Sequence, residues 1–316
     1  MAKEKTKVAS ELRQLDGVGE VMCEKLSEAG ISTLMSLATC SPSEVADTAG
    51  MSEANARKII KAAREELKLG FEKAADYSKK RDAVKNISTG CKELDRILGG
   101  GFESSAITEV YGRTASGKTQ ISHLMLVKTI QTDKHSKAIY IDSESTFRVE
   151  RIKDFCDANK VDYDDAMNRI FVARSYNTDH QLLLVDEIEK ILQKDNTYKI
   201  IVIDSLTSHF RANYSGRGEL ADRQQKLNKH LHQLLRLADL YNLVIIITNQ
   251  VQSDPGMMYG NPEKPIGGNI MSHAATNILY LRPGKSGTYV AKLVDSPSLP
   301  QDECVYLITK EGIVDV

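Results

Sequence analysis

Between Gly112 and Thr119 the chain reads Gly112-Arg113-Thr114-Ala115-Ser116-Gly117-Lys118-Thr119, the spacing G-x-x-x-x-G-K-[ST] of a phosphate-binding loop. Its glycines let the backbone curl so that successive N–H groups face a phosphate, and a helix N-terminus adds a favourable dipole. Lys118 is placed to reach the β- and γ-phosphates, and the Thr119 hydroxyl to ligate Mg²⁺. Two acids close separate apolar runs further along. Lys199-Ile200-Ile201-Val202-Ile203 ends in Asp204, which would hold Mg²⁺ opposite Thr119. Lys137-Ala138-Ile139-Tyr140-Ile141-Asp142-Ser143 delivers Glu144, which can polarise an attacking water or remain a solvated strand-end acid. Gln250, after Leu243–Thr248 and Asn249, is placed to meet a γ-phosphate. The chemistry implied is hydrolysis of a nucleoside triphosphate.

These residues need strands and helices to hold them. Ala106–Tyr111 reads as a strand before the loop and Gln120–Ile130 as a helix after it. From about Val84 apolar runs alternate with helical patterns, the signature of an α/β fold with a mostly parallel twisted sheet flanked by helices. In such sheets ligands sit at the carboxyl ends of the strands, where both acids fall. From Gln250 to Ile270 there is no periodicity, but four glycines (Gly256, Gly260, Gly267, Gly268) and Pro255, Pro262 and Pro265. A stretch this long is expected to be functional, and its start at a γ-phosphate sensor suggests a switch ordered by nucleotide. A second candidate loop, His209–Gly218, carries Arg211 and Arg217, with Arg223 just beyond. It suits a phosphate backbone or reads as a solvated, salt-bridged loop. Ala275–Leu281, Thr288–Val294 and Cys304–Thr309 read as antiparallel strands, with a turn at Gly284–Gly287.

A length of 316 residues favours two domains, and 41% apolar with 27% charged residues describes an ordinary globular protein. A net charge of −1 gives no global pull on nucleic acid, so a DNA surface must be local. No apolar run spans a membrane, and Met1-Ala2-Lys3-Glu4-Lys5 lacks a signal-peptide core, so no membrane partner is expected. Five scattered cysteines without a CxxC pair suggest neither a disulfide framework nor zinc, which fits a reducing cytoplasm. The expected domains are a helical one at 1–69, a linker at 70–83 and the nucleotide-binding core at 84–316; residues 1–10 are expected to be disordered. In the first, helical spacing on either side of Gly17-Val18-Gly19 gives a helix-hairpin-helix. Its backbone N–H groups can meet a DNA phosphate, or its glycines merely make a tight turn. Ser52 is a candidate cap for a helix over Ala54–Leu67. In the charged linker, Phe71 and Ala74 could dock into pockets of another surface, although by residue type alone Phe71 packs against its own domain.

Taken together, these motifs resemble the archaeal RadA family of strand-exchange recombinases and their eukaryotic relatives in the RecA superfamily, over about residues 11–316. The resemblance rests on Gly112–Gln120, Asp142–Ile152, Asp204–Arg211, Gly216–Leu227, Thr248–Val251, Pro265–Asn269 and Asp295–Pro297. It implies a RecA-like P-loop ATPase core behind an all-α helix-hairpin-helix domain. The activity implied is DNA-dependent ATP hydrolysis with homologous pairing and strand exchange, using ATP and Mg²⁺. Partners implied are single-stranded DNA, homologous duplex DNA, recombination mediators and further copies of the chain in a helical filament or ring, in a nucleoid-associated cytoplasmic setting. Residue by residue, it implies catalysis by Glu144, Lys118 and Gln250, and Mg²⁺ at Thr119 and Asp204. ATP is implied at Gly112–Gln120, at Arg151 over adenine, and at Asp295 and Pro300 from a neighbouring subunit. DNA is implied at Gly17, Gly19, Arg211, Arg217, Arg223, Gly267, Gly268, Asn269 and His273. Phe71 and Ala74 match a subunit-docking motif, which reverses the reading by residue type. Arg113-Thr114-Ala115 departs from the usual acidic and aromatic residues of the loop, and Val149, Asn277-Ile278 and Pro283 depart elsewhere. The alternative is a regulatory paralogue that binds ATP and DNA without strand exchange; a duplex-unwinding motor is a further rival.

Overall fold

The computed structural model describes residues 12–29, 31, 33–67, 69–214, 217–253 and 263–316. The polar stretch at 1–10 and Pro255, Gly256, Gly260 and Pro262 lie outside the described residues, as do the side chains of Arg217 and Asn269. The chain divides into two compact units, one up to Asp82 together with Glu189–Lys194, the other Ala83–Ile188 with Asp195–Val316.

In the first unit the described helices are α1 (Glu20–Glu28), α2 (Leu34–Thr39), α3 (Pro42–Ala49), α4 (Glu53–Glu66) and α5 (Ala74–Arg81). Their starts are set by local chemistry. The Thr33 and Ser41 hydroxyls cap α2 and α3 in capping boxes, and Ser52 accepts from the Asn55 N–H at the head of α4. Leu12, Val18, Leu26, Leu37, Val45 and Ile59 meet in one core. The hairpin glycines have distinct tasks. Gly17 takes φ +92°, a left-handed geometry costly for any side chain, which turns Val18 into the core. Gly19 is the N-cap of α1 and has open space around the place a Cβ would take. In the linker Phe71 is wholly exposed, contrary to packing against its own domain.

The second unit begins with β1 (Asn86–Ile87), α6 (Lys92–Ile97), β2 (Phe102–Glu103) and β3 (Ala106–Gly112), then α7 (Lys118–Thr132), β4 (Lys137–Asp142), α8 (Val149–Asn159), α9 (Tyr163–Arg169) and β5 (Ile170–Arg174). There follow α10 (Thr178–Leu192), β6 (Tyr198–Asp204), α11 (Ser208–Asn213), α12 (Leu220–Tyr241), β7 (Val244–Asn249), β8 (Val251–Ser253) and β9 (Glu263–Pro265). The chain ends with α13 (Asn269–Ala274), β10 (Asn277–Pro283), β11 (Tyr289–Asp295), β12 (Asp302–Ile308) and β13 (Ile313–Asp315). A nine-stranded sheet runs β13-β12-β11-β10-β3-β7-β6-β4-β5. Pairing is parallel from β5 through β10, so the ends of β3, β4, β6 and β7 open on one edge. Every residue of β3 and β7 is buried, because helices cover both faces, and the strands are correspondingly rich in apolar residues.

The three strands expected after residue 274 are antiparallel to one another as β10, β11 and β12, while β10 joins the rest of the sheet by pairing parallel with β3. Three points depart from expectation. The edge strand β5 has no counterpart in the sequence reading, although Ile170–Ala173 is a short apolar run; at the edge of the sheet its Phe171 and Val172 are exposed. The stretch after Gln250 is not patternless at its base, since β8 and β9 pair antiparallel with Val251 opposite Pro265, and residues 269–274 are helical. Much of His209–Gly218 is helix rather than loop: α11 covers Ser208–Asn213, with the Asn213 carboxamide accepting from Thr178, and Arg217–Glu219 is a 3₁₀ turn.

Candidate nucleotide site

The phosphate loop leaves β3 at Gly112, where a Cβ would run into the Leu281 carbonyl and Ser116. It turns through Ala115 at φ +63° and Gly117 at φ +95°, where a side chain would meet Ile308. Gly117 is the N-cap of α7 without any side-chain cap, so the first amides of a 15-residue helix remain available to an anion. The Lys118 ammonium donates to the Gly112 and Arg113 carbonyls, each at 2.8 Å, and burial lowers its pKa against the pull of Asp204 and Glu144. The buried Ser116 hydroxyl has no protein partner. A glycine-lined cradle, open helix amides and an orphan hydroxyl fit a polyphosphate.

Asp204, at the end of β6, accepts from the hydroxyls of Thr119 (2.7 Å), Tyr140 (2.8 Å) and Thr248. Tyr140 and Thr248 come from the strands flanking β6, where parallel register places Asp142 opposite Asp204 and Ile247 opposite Ile203. Sequence reading found neither, because a strand tyrosine or threonine looks like packing. No cluster of three acidic, histidine or cysteine side chains that could cage a metal occurs among the described residues. The carboxylate and hydroxyl of Asp204 and Thr119 form an all-oxygen set suited to Mg²⁺, which is commonly held by one or two protein groups, water and phosphates.

Asp142 shapes the turn that carries Glu144. Its carboxylate accepts from the N–H groups of Glu144 (3.2 Å), Thr146 (3.0 Å) and Phe147 (3.1 Å). His123 braces the same turn from α7. Its Nδ1 faces the Thr119 carbonyl at 2.7 Å and its Nε2 accepts from the Arg148 N–H, so Nδ1 carries the proton. Glu144 accepts at 3.0 Å from the Gln250 amide, whose oxygen accepts from Arg211 at 3.3 Å. Burial and then the negative Asp204 raise the Glu144 pKa, while Gln250 and Lys118 oppose them. A base with a raised pKa beside a phosphate cradle can take a proton from water. Three residues singled out in sequence thus join in a chain from Glu144 to Arg211.

Gln120 and Arg151 also meet, at 2.6 Å. The Arg151 guanidinium lies over Phe155, 3.9 Å from the ring centroid, and donates to the Lys310 and Thr309 carbonyls. Asp295 and Pro300 are not brought to the loop of their own chain: register sets Asp295 opposite Ile278, at the end of the sheet away from Gly112. Arg223 stands on α12 and His273 is exposed on α13; both helices border a groove that His273 shares with Gln224, Gln225, Asn228 and Ile270. Gly267, at φ +100°, and Gly268, at φ +59°, make the turn into α13.

A buried acid escaped the sequence reading. Glu109, in the middle of β3, is fully buried and accepts from Asn249 Nδ2 at 2.7 Å, while its other oxygen is unpaired. An acid inside an apolar strand was the available signal. Burial pushes its pKa up to about 7 from an ordinary 4.5, against the Asn249 hydrogen bond. The folded protein therefore keeps a proton that the unfolded chain releases between those values, and stability falls as pH rises through that window. Glu109→Gln, which keeps an acceptor for Asn249, is expected to flatten this dependence. Denaturant unfolding should show wild type losing about 3 kcal/mol relative to the variant between pH 4.5 and 7.5.

Sheet order, phosphate cradle, strand-end acids and a glutamine bonded to one of them define a P-loop ATPase with the RecA-like arrangement. A family model described as Rad51 matches residues 80–316, and one described as a SAM-like helix-hairpin-helix tandem matches residues 9–65. The chain is 44% identical, over 99% of its length and 98% of the relative's, to the DNA repair and recombination protein RadA of Metallosphaera sedula. The chain belongs to the Rad51 family of ATP-hydrolysing strand-exchange recombinases, which act in DNA repair and recombination. No described helix is long and apolar enough to cross a membrane.

Proposed function

We propose that this recombinase couples ATP hydrolysis at Gly112–Thr119 to its grip on DNA through the chain Glu144–Gln250–Arg211. The observation that carries this reading is the pair of hydrogen bonds at Gln250, one to the candidate base and one to an arginine outside the phosphate loop. Lys118 and the helix amides bind the phosphates, and Gln120 with Arg151 borders the base. Thr119 and Asp204 would hold Mg²⁺, which when bound neutralises charge on the transferring phosphate. Glu144 orients water in line and takes its proton; Gln250, on the same carboxylate, senses whether the γ-phosphate is present. Its backbone leads straight into β8, so a shift there moves the hairpin.

Arg211, Arg223, the Gly267–Gly268 turn and His273 are assigned to single-stranded DNA, as are Arg217 and Asn269, whose side chains lie outside the described residues, and the Gly17–Gly19 hairpin is assigned to duplex. Phe71 and Ala74 dock on the next copy of the chain, whose ATP is capped by Asp295 and Pro300. A wholly exposed phenylalanine supports a docking role, since burial of that ring is worth roughly 2–3 kcal/mol. The domain division at 70–83 belongs to the same reading.

Strand exchange between a single strand and a homologous duplex tests the reading. With ATP and Mg²⁺, exchange and helical filaments by electron microscopy are expected, and Phe71→Ala is expected to shorten the filaments. Binding of DNA and ATP without exchange would make the chain a regulatory paralogue instead.

A further inference from the structure

The phosphate loop and the β8–β9 strand pair, called the hairpin below, are joined by an ion pair that the proposed mechanism does not use. Arg113 donates through Nε to Oε1 of Glu263, the residue that opens the return strand β9. Glu263 is also held at its other oxygen, which accepts from the Tyr280 hydroxyl at 2.7 Å. Tyr280 packs its ring against Tyr111 of β3, with centroids 5.0 Å apart. Residues 109, 111 and 113 alternate onto one face of β3 and its continuation, and all three serve this junction. Glu109 holds Asn249, and Asn249 holds the Ile266 carbonyl at 2.7 Å, just past β9. The return strand is thus tied to the strand and loop of the nucleotide site at two points.

The pair is lopsided. The Glu263 side chain is 6% exposed and the Arg113 side chain 66%. A buried carboxylate has little water to replace a lost partner, whereas an exposed guanidinium can turn to another anion at small cost. A triphosphate entering the loop is such an anion, arriving beside residue 113.

We propose that Arg113 is a positioning residue that clasps the return strand of the hairpin to the phosphate loop, so that nucleotide and DNA sites are linked through Arg113–Glu263. The proposal rests on the reading of Gly112–Thr119 as the nucleotide site and of the hairpin as a DNA element. Triphosphate competes with Glu263 for the guanidinium, loosens the base of the hairpin and changes its DNA-binding geometry. By reciprocity, DNA that repositions the hairpin alters the loop's affinity for nucleotide.

Hydrogen exchange on the full-length protein tests the clasp without DNA. Exchange is followed at the Glu263, Lys264 and Ile266 amides with and without a saturating non-hydrolysable ATP analogue and Mg²⁺. Wild type should show about a fivefold nucleotide-dependent change. Arg113→Gln and Glu263→Gln should each lose it, although the latter keeps an acceptor for Tyr280. The double glutamine variant should show no further loss, and the charge-swapped R113E/E263R should recover most of the response. Additive effects, or a response surviving in both single variants, would overturn the clasp. The same proteins are then titrated with single-stranded DNA. Normal nucleotide-gated DNA binding by both single variants sinks the clasp alone. A wild type that binds no single-stranded DNA sinks the functional reading, and with it the DNA half of the proposal.

Discussion

Lys118→Ala is expected to abolish nucleotide binding and, with it, strand exchange. The ammonium spans the mouth of the phosphate loop, bonded to the carbonyls of Gly112 and Arg113. On the proposed placing of ATP it would turn from those carbonyls to the β- and γ-phosphates. Hydrogen bonds to charged groups contribute about 1.5–3 kcal/mol each. Losing the two such bonds that the ammonium would make to the β- and γ-phosphates should weaken ATP binding by at least about 100-fold, as measured by equilibrium titration with a fluorescent analogue. The fold should survive, because the loop lies at the rim of the sheet and its shape is set by Gly112 and Gly117 as well; thermal unfolding checks this. Normal strand exchange by a folded Lys118→Ala protein would refute the placing of ATP in this loop.

Glu144→Gln separates binding from chemistry. The substituted amide oxygen can still accept from Gln250, and the Asp142-braced turn is untouched, so ATP affinity should change little. Without a carboxylate to take the proton, turnover should fall by about 10²–10⁴-fold. Because burial and Asp204 raise the pKa of Glu144, wild-type turnover should decline on acidification at a higher pH than an ordinary carboxylate near 4.5 would give. The sign follows from the role: a base works only when deprotonated, so activity is lost as pH falls through the raised value. Single-turnover hydrolysis across pH measures both effects. A variant that hydrolyses ATP at the wild-type rate removes Glu144 from the chemistry and leaves it as a hinge partner for Gln250. Slow hydrolysis should also prolong DNA-bound filaments, since release would then wait on nucleotide exchange.

Both variants probe features that the primary sequence reveals. Lys118 is legible because spacing alone dictates the loop: the backbone needs glycines at 112 and 117, the phosphates need a lysine and a hydroxyl, and all lie within one turn and a helix start. Asp204 and Glu144 are legible because a buried strand must be apolar, which leaves the acid at its end conspicuous. Phe71 is different. Its residue type argued for burial in its own unit, whereas in the folded chain it is wholly exposed.

What the sequence determined by itself was therefore the local chemistry: the phosphate loop, the acids at strand ends, Gln250 and the Ser52 cap, each encoded within a few neighbouring residues. Tertiary structure decided which distant side chains share an environment. Parallel pairing set Thr248 and Tyr140 around Asp204, 44 and 64 residues away in the chain. Burial between strands gave Glu109 its raised pKa and bound it to Asn249 across 140 residues. The parallel placement of β10 beside β3 put Tyr280 against Tyr111 and so positioned Glu263 for Arg113. In sequence Arg113 was one position of the implied ATP loop and a departure from its usual pattern. The physical reason is that hydrogen bonds and ion pairs act over a few ångströms, and separation along the chain does not reveal which residues come that close once the sheet has formed.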